Sequence, residues 1–465
     1  MLESIEIKNF RSIRSAKFSL SPTGLTVFIG ANGSGKSNIV KCLTFLADVA
    51  GAGLESAVRS QRGFEGILPK YIPSKYMRKG AEETRLTYTA RVQPPANYPE
   101  SAPPLRVQHV LAFAPHPQRL AQVLEEKLTF EQPLLVAACL KGTSAPVNFQ
   151  PELTSTLTIT KQGAGNLQVS ASPPVEGPNL DGYLRWFGLE FLKDTLSDSP
   201  AADEIRLRLP FILTSIPSEE RSRSLGREWS SFLEPEAYRL TTFSPEARVF
   251  RDFVSSIRNY DFQLTNLRNY QESAATDELQ DDGKGLPAAV RGLVAKSTAW
   301  RRLQDTLREL APHVTSTSVK SLHTGQEFVE FIERQSGRPV ESWECSDGTL
   351  RALAILVAAE TCPSNRMLLI EEPEQGLHPW AVRTVIKHLR QTITERHVQF
   401  VLTTHSQQVL ESVSPSEVIV VAREPEVGTT FATIAEVAPN ATLGPGDLGR
   451  LWVKGLLGGV PSSED

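Results

Sequence analysis

The spacing of hydrophobic and polar residues predicts a strand, a turn and a helix near the N-terminus. Leu2–Phe10 has the alternating character of a short strand, and Leu25–Ile29 is a continuous apolar run, as in a buried strand. The run leads into Gly30–Ser37, and Asn38–Val49 then has the spacing of an amphipathic helix. A buried strand therefore ends at a glycine-rich turn, and a helix begins just after it.

The rest of the chain divides into a β-rich stretch, a helical stretch and an alternating stretch. Arg85–Val92 and Leu105–Phe113 are β-like, whereas Ala247–Tyr270 and Leu286–Leu310 have helical spacing. Strands and helices then alternate, which predicts a parallel sheet with α/β connections. The alternating strands are Glu327–Ile332, Val340–Trp343, Arg366–Ile370 and Val398–Leu402, and the helices are Gly348–Glu360 and Ala381–Leu389.

The predicted fold is α/β, with an antiparallel β subdomain and a mainly helical insertion. Residues 1–172 form an N-terminal lobe, 173–319 the insertion, 320–430 a C-terminal lobe and 431–465 a tail. The tail contains the run Leu451–Gly459, which either docks a partner or caps the sheet. A chain of 465 residues is long enough for several units of domain size.

Composition limits the classes of function. With 49 Lys and Arg against 53 Asp and Glu, the chain has no global basic field, so binding of nucleic acid requires a local patch. The four cysteines, Cys42, Cys139, Cys345 and Cys362, form no CxxC pair, which argues against a disulfide framework or a zinc site. No apolar run approaches the roughly 18–20 residues that span a bilayer. A cytoplasmic protein without a membrane partner is expected.

The turn Gly30–Ser37 matches the phosphate-binding loop Gly-x-x-x-x-Gly-Lys-Ser in the strand–helix context that this motif requires. Glycines let backbone N–H groups approach phosphate oxygens, and the helix N-terminus adds positive potential. Lys36 is expected to reach the β- and γ-phosphates and Ser37 to hold Mg²⁺. The candidate nucleotide-binding residues are Gly30, Asn32, Gly33, Ser34, Gly35, Lys36, Ser37 and Asn38.

Two acids follow the buried strand that ends at Ile370, where ligands of α/β sheets lie. Glu371 is expected to order Mg²⁺, partly through water, and Glu372 to polarise the attacking water. Glu374 is interpreted as a surface or dimer-contact acid. His405 follows the next buried strand and can face the same crevice, where it would sense a γ-phosphate.

Two further positions have a plain structural interpretation. Ser346 or Asp347 can cap the helix that follows, which would leave N–H groups free at its start. His378 lies in the turn before another helix, where a turn or interface role is favoured.

Together these motifs resemble the ABC-type ATPase heads of the RecF/SMC/OLD-like branch. The resemblance is strongest to stand-alone AAA-family ATPases without a Toprim nuclease, such as those of the bacterial anti-phage systems Septu and PARIS. The matching segments, in order, are Ile5–Ser12, Gly30–Ser37, Ser346–Arg351, Leu368–Glu374, Gly376–Pro379 and Thr403–Ser406.

The resemblance implies that two heads sandwich two ATP molecules with Mg²⁺. Each site would be completed by Ser346 and Gly348 of the other head, and Arg11 would lie near the nucleotide. Glu372 and His405 would be catalytic, and Ser37 and Glu371 would hold the metal. Gln61 is a candidate for the glutamine that such heads place at the metal, although a surface loop is the favoured interpretation.

The favoured function is an ATPase that dimerises around ATP and regulates a separate effector, a nuclease, in anti-phage defence. The alternative is a RecF-like DNA-repair clamp that uses the basic helix Leu286–Leu310, unless that helix is only a charged solvated face. A transporter subunit and a non-hydrolysing scaffold are weaker alternatives. Only 60 residues follow His405, without a paired-acid motif, so the chain is not expected to cut nucleic acid itself.

Overall fold

The computed structural model describes residues 1–69, 83–94, 103–116, 118–134, 150–162, 167–172, 205–207, 245–273, 277–424, 427–439, 443–444 and 446–458. The chain divides into two compact units that are interleaved in sequence. The first comprises Met1–Ser19, Lys41–Ser256 and Glu426–Gly428, and the second Leu20–Val40, Ile257–Pro425 and Thr429–Asp465. The four domain boundaries expected from the sequence stay a prediction.

The first unit is an antiparallel sheet with helices. Its strands are β1 (Leu2–Phe10), β2 (Ile13–Ser19), β4 (Thr84–Val92), β5 (Leu105–His116), β6 (Arg119–Leu134), β7 (Gln150–Gln162), β8 (Leu167–Ser172) and β9 (Ile205–Leu207), in the order β2-β1-β4-β5-β6-β7-β8-β9. Most of α1 (Lys36–Ala52), α2 (Leu54–Ser60) and α3 (Pro245–Ser255) belong to the same unit. Phe45 of α1 stacks on Phe113 with ring centroids 5.4 Å apart, which anchors the helix on the sheet.

The second unit is built on a sheet whose central strands are parallel. The strands are β3 (Leu25–Ile29), β10 (Arg258–Tyr260), β15 (Met367–Glu371), β16 (Gln399–Thr404), β17 (Val418–Glu424) and β18 (Gly428–Thr433), in the order β10-β15-β16-β3-β17-β18. A small antiparallel sheet adds β11 (Gln271–Glu272), β12 (Val314–Ser321), β13 (Gln326–Glu333) and β14 (Pro339–Glu341). The helices are α4 (Leu264–Arg268), α5 (Leu286–Val294), α6 (Ser297–Leu310), α7 (Asp347–Thr361), α8 (Pro379–Arg396), α9 (Gln407–Leu410), α10 (Ile434–Val437) and α11 (Asp447–Val453).

The core of the second unit lies around α7. Residues Leu350–Ala359 of this helix are buried on all sides except at Arg351, which is why the segment has apolar residues around its whole circumference. They pack with the parallel strands, including Val27 and Leu402, which are fully buried. Such strands are covered on both faces and are therefore apolar throughout.

The α/β class is confirmed, and so is the parallel pairing of the strands predicted at Arg366–Ile370 and Val398–Leu402, which are β15 and β16. The strands predicted at Glu327–Ile332 and Val340–Trp343 are instead β13 and β14, which pair antiparallel in the small sheet, so the parallel prediction is wrong there. The continuous helical interpretation of Ala247–Tyr270 is wrong in its middle, because Arg258–Tyr260 forms β10 and pairs in parallel with β15. Leu286–Leu310 divides into α5 and α6 at Ala295 and Lys296. The strand predicted at Val340–Trp343 lies at Pro339–Glu341. In β10, pairing along a sheet edge overrides the helical spacing.

Among the helices in the described part of the chain, none is long and apolar enough to cross a membrane.

A buried ion pair holds the turn before β17. Glu417 is fully buried and accepts two hydrogen bonds from Arg390, at 2.6 and 2.7 Å. It also accepts bonds from the Ser414 N–H at 2.7 Å and the Thr23 hydroxyl at 2.8 Å. Burial alone would raise the pKa of Glu417, but these hydrogen bonds outweigh it and lower the pKa below its ordinary value. The ionised carboxylate therefore stabilises the folded state.

Arg390→Ala is expected to lower the free energy of unfolding at neutral pH by about 2 kcal/mol, less than for a fully buried pair because Arg390 is 37% exposed. The contribution of a carboxylate with a lowered pKa is complete above its ordinary pKa and is lost as the pH falls through the lowered value. The deficit of the variant should therefore shrink in acid. Urea unfolding at neutral and acid pH measures it.

The matched control is Arg383→Ala on the same helix, which removes an ion pair with Glu411 at the surface. It should cost at most about 1 kcal/mol. Equal losses in the two variants, or a deficit that does not change with pH, would contradict the assignment.

Candidate functional site

The phosphate-binding loop begins where β3 ends and stops where α1 begins at Lys36. Gly33 and Gly35 have φ values of +82° and +110°, which residues with a side chain rarely adopt. Gly30 is needed for a different reason, since a Cβ there would lie 2.3 Å from the carbonyl oxygen of Val421 on β17. Gly33 and Gly35 allow the curved path of the loop, and Gly30 allows the loop to lie against β17.

Lys36 lies inside the loop and is only 7% exposed. Its Nζ donates to the carbonyl oxygens of Gly30, at 2.6 Å, and Ala31, at 3.0 Å. Burial lowers the pKa of Lys36, although the acids Glu372, Glu374 and Glu371 oppose the shift. An ammonium group held this way can exchange carbonyl oxygens for phosphate oxygens without moving far.

The acid Glu371 lies against the start of α1. Ser37 Oγ donates to Glu371 Oε2 at 2.8 Å, so the two predicted metal-binding residues are brought together. Asn259 of β10 donates from Nδ2 to Glu371 Oε1 at 3.4 Å, and its Oδ1 is buried with no hydrogen-bond partner among the described residues. Sequence reasoning missed Asn259, because its strand lies in a segment that was interpreted as helical.

Glu372 adopts a strained backbone conformation at the end of β15. Its φ is +48°, which is uncommon for a residue with a side chain. Its N–H donates to the carbonyl oxygen of Thr403 at 2.9 Å, and its carbonyl oxygen accepts from the Gln375 N–H at 2.9 Å. Strain of this kind persists only where surrounding bonds impose it, and it clusters at functional sites. These two bonds fix the direction in which the carboxylate leaves the strand.

His405 meets the acids at the end of the neighbouring strand. Its Nδ1 lies 3.3 Å from Glu372 Oε1 and 3.8 Å from Glu374 Oε1, and half of the side chain is exposed. The surface interpretation of Glu374 is wrong, because its side chain is only 10% exposed and accepts a 2.6 Å bond from the Thr404 hydroxyl, whereas the dimer-contact alternative stays a prediction. Burial raises the pKa of Glu374. The sequence carries no signal for this burial.

The phosphate-binding loop, Glu371 and Glu372 line a cleft of about 410 Å³ within the second unit, a volume in the range of small-molecule sites. The lining residues are Asn32, Gly33, Gly35, Lys36, Ser37, Asn38, Glu371, Glu372, Thr403 and Arg423. Arg423, at the end of β17, adds a cation that sequence reasoning missed.

The cleft fits a nucleotide phosphate chain with a divalent cation. Lys36, folded back onto the loop carbonyl oxygens, lines the cleft, and the neighbouring Ser34 has an Oγ that is buried with no hydrogen-bond partner among the described residues. The Ser34 carbonyl oxygen accepts from the Thr429 hydroxyl at 3.1 Å, which holds the loop from behind. Ser37 and Glu371 supply the oxygen ligands that Mg²⁺ prefers. A site with hydrogen-bond donors at one end and carboxylates at the other can bind both the negative phosphate chain and the positive metal ion.

Ser346, predicted to cap a helix and to complete the site of a second head, is an N-cap in this structure. Ser346 Oγ accepts from the Thr349 N–H at 3.2 Å and starts α7. Arg268 binds the carboxylate of Asp347 and donates to the Trp343 carbonyl oxygen at 2.7 Å. Both the cap and the clamp fix the direction in which the start of α7 points.

Gly348 has a packing role that the sequence did not indicate. A Cβ at this position would lie 2.4 Å from the carbonyl oxygen of Gly376. The start of α7 therefore rests directly on the loop that follows Glu372. His378 caps the next helix, α8, with its Nδ1 accepting from the Trp380 N–H at 3.3 Å, in line with a turn role.

Arg11 lies in the first unit, where its guanidinium donates to Gln61 Oε1 at 2.6 Å. Burial lowers the pKa of Arg11. The approach of Arg11 to a nucleotide stays a prediction. A glutamine that sequence reasoning passed over, Gln263, lies between β10, the strand that pairs with β15, and the start of α4.

In the basic segment Leu286–Leu310, several arginine side chains are bound to neighbouring groups of the same unit. Arg291 binds Glu327, and Arg302 binds Glu360 and is only 11% exposed. Arg308 donates to the Thr315 carbonyl oxygen at 2.6 Å. Most of the positive charge of this segment is therefore used within the unit, which weakens the case for it as a DNA-binding surface.

Comparison with known proteins places the chain among ATPase domains. A family model described as "AAA domain, putative AbiEii toxin, Type IV TA system" matches residues 173–411, and one described as "AAA ATPase domain" matches residues 1–77. The chromosome partition protein Smc of Methanocaldococcus jannaschii is 42% identical over 67 residues, 14% of this chain and 5% of that protein. The DNA replication and repair protein RecF of Renibacterium salmoninarum is 45% identical over 49 residues, 10% of this chain and 12% of that protein. The chain thus spans a small part of these relatives.

Solved structures that align with the chain include two SMC heads. The SMC head bound to the C-terminal winged-helix domain of ScpA aligns over 93% of this chain and 98% of its own, at 12% identity and a TM-score of 0.41. The SMC head domain from Thermotoga maritima aligns over the same shares, at 12% identity and a TM-score of 0.35.

Gly348→Ala is expected to destabilise the protein, because a new Cβ cannot lie 2.4 Å from the Gly376 oxygen. The backbones must separate, at a cost of about 1–3 kcal/mol. Urea unfolding measures the loss.

The matched control is Gly51→Ala in α1, where the nearest heavy atom to a new Cβ is 3.8 Å away. That change should be neutral or mildly stabilising, because alanine favours helix. A Gly348→Ala protein as stable as the wild type would show that α7 does not rest on the loop.

Proposed function

Since the chain belongs to the family described as "AAA domain, putative AbiEii toxin, Type IV TA system", we propose that it binds Mg²⁺ and ATP, hydrolyses the ATP, and uses the nucleotide to control a separate effector. The observation that carries the ATPase assignment is the cleft lined by Lys36, Ser37, Glu371 and Glu372, with His405 lying 3.3 Å from Glu372. Under this proposal ATP and Mg²⁺ are its cofactors. We place the protein in the cytoplasm, where both are available.

Each lining group has a task at the phosphate chain. The loop N–H groups and Lys36 bind the β- and γ-phosphate oxygens, and Ser37 with Glu371 holds the cation. A bound Mg²⁺ would supply charge neutralisation at the phosphate oxygens. Asn259, through its bond to Glu371 Oε1, fixes the direction of that carboxylate.

Glu372 and His405 act on the attacking water. Glu372 orients the water and accepts its proton, a role that requires a fixed carboxylate at the end of the phosphate chain. His405, 3.3 Å from Glu372, donates a hydrogen bond toward the γ-phosphate while it holds the carboxylate in place. The strained backbone at Glu372 supports this assignment, since strain is retained where geometry matters.

Two copies of the chain assemble around ATP in the proposed cycle. The N-terminus of α7 carries N–H groups that favour an anion, and Ser346 and Gly348 lie at that end. A second copy would offer this turn to the γ-phosphate, so ATP would stabilise the dimer and hydrolysis would release it.

The effector is proposed to be a nuclease in an anti-phage defence system. The family description, which names a putative toxin of a toxin–antitoxin system, supports a role beside a second component. The short similarity to RecF leaves a DNA-repair clamp as the rival outcome of the experiments. The commitment of Arg291, Arg302 and Arg308 to neighbouring groups favours the sensor.

Lys36→Ala is expected to weaken ATP binding about 10- to 100-fold, because a charge-assisted hydrogen bond to phosphate is lost. Equilibrium binding of a fluorescent ATP analogue measures the affinity. Lys41→Ala, an exposed lysine of the same helix, is the control and should bind normally. Equal affinity of the two variants would remove the phosphate loop from the proposal.

Glu372→Gln should bind ATP as the wild type does but lower the hydrolysis rate about 100-fold or more, because the amide cannot accept the proton. With Mg²⁺ and ATP this variant should form a dimer, measured by light scattering. A protein that stays monomeric would contradict the ATP-sandwiched pair, and an unchanged rate would contradict the role of Glu372.

The effector is sought by purifying tagged Glu372→Gln protein from its native host with Mg²⁺ and ATP, beside Lys36→Ala. A nuclease-type chain retained with either protein, identified by mass spectrometry, is the expected result. ATPase rates are measured with duplex DNA over a range of salt. Strong stimulation that falls steeply with salt, without a protein partner, would favour the repair clamp.

A further inference from the structure

The peptide group of His405 is held from both sides. Its N–H donates to Glu374 Oε1 at 3.4 Å, and its carbonyl oxygen accepts from the indole Nε1 of Trp452 at 3.1 Å. The preceding residue adds a third contact, the 2.6 Å bond from the Thr404 hydroxyl to the same Oε1 of Glu374. The strand end that carries His405 is thus joined to two segments that are distant from it in sequence.

The burial of Glu374 is energetically unfavourable. Its side chain is only 10% exposed, and Oε2 is buried without a hydrogen-bond partner among the described residues. Burying a carboxyl group with incomplete hydrogen bonding costs free energy. A smaller apolar residue would be buried here at a lower cost in free energy. The contacts of Oε1 with Thr404 and His405 give the group a positional task that offsets this cost.

Trp452 reaches His405 because α11 approaches α9 closely. A Cβ at Gly449 would lie 2.8 Å from Gln407 Cγ and from Glu411 Cγ, so the glycine lets the two helices touch. Trp452 itself is 8% exposed and belongs to the core of the second unit. Its indole N–H is therefore fixed in direction, and it donates to the carbonyl oxygen of His405, the first residue after β16.

We propose that Glu374 and Trp452 are positioning residues that hold His405 against Glu372, so that α11 is part of the hydrolytic site. The inference rests on the proposed ATPase function. Half of the His405 side chain is exposed, so packing restricts the ring less than in a buried residue and the fixed backbone contributes more to its orientation. A displacement of about 1 Å in a catalytic group can cost about 100-fold in rate. This gives α11 a positioning task at the site rather than only a capping one.

The first test is Trp452→Phe, which keeps an aromatic ring and removes the N–H donor. We expect kcat for ATP to fall about tenfold or more, with KM changed less than about twofold, because the phosphate loop is untouched. Trp300→Phe is the matched control, since Trp300 packs partly buried against the same core. Its kcat should equal that of the wild type. Equal kcat in both variants would overturn the proposal.

The second test compares Glu374→Gln with Glu374→Ala. Glutamine keeps a carbonyl acceptor for Thr404 and His405 and should retain most of kcat, whereas alanine removes both bonds and should lower kcat about 100-fold. Glu411→Gln, an acid in a surface ion pair, is the control. A Gln variant as slow as the Ala variant would overturn the positioning role, because charge rather than the bonds would then matter.

Hydrogen exchange supplies a readout that does not depend on hydrolysis. The His405 amide should exchange faster in Trp452→Phe and in Glu374→Ala than in the wild type, and at the wild-type rate in Trp300→Phe. Faster exchange in a protein that hydrolyses no ATP would refute the proposed function and keep the positioning contacts. Unchanged exchange in both variants would refute the contacts, whatever the ATPase rates.

Discussion

Parallel pairing of three buried strands is the constraint on which the site depends. In this register Glu371 lies beside Thr403, and Thr404 lies beside Ile29. The last residues of β15, β16 and β3 therefore stand at one level, and whatever follows them meets at one edge of the sheet. The acids, the histidine and the phosphate loop come from distant parts of the sequence, and only this register brings them within hydrogen-bond distance. A shift by one residue would turn Glu371 toward the opposite face.

The charges at this edge are unbalanced in a way that favours a cation. Three carboxylates, those of Glu371, Glu372 and Glu374, surround one buried ammonium group, and each acts on the pKa of Lys36. Ser37 and Lys36 bond to protein oxygens that a metal ion and phosphates can replace. A bound divalent cation would relieve the repulsion among the carboxylates, so binding of metal and nucleotide should stabilise the unit as a whole.

Site residues could be located from the sequence where they belong to a local motif. They could not be located where contacts between distant segments place them. The phosphate loop could be predicted because strand, glycines and helix follow one another, and the acids and His405 because each ends an apolar strand. Asn259 could not, since a three-residue strand on a sheet edge has no periodicity of its own and exists through its pairing with β15. The burial of Glu374 and the contact of Trp452 arise between elements far apart in sequence, and no residue pattern encodes them.

The loop after Glu372 connects two parts of the proposed ATPase within one chain. These are the carboxylate that would act in hydrolysis and the start of α7 that would contact the ATP of a second copy. Two consecutive turns stiffen it, with the Gln375 N–H bonded to Glu372 and the Leu377 N–H bonded to Glu374. One end carries the carboxylate that would meet the water, and Gly376 at the other end touches Gly348 at the start of α7. The site that would hydrolyse one ATP and the turn that would clasp a second are thus separated by a few backbone contacts. A displacement of Glu372 would reach α7 through a direct backbone contact, because at Gly348 there is no space for a side chain between the helix and the Gly376 carbonyl oxygen.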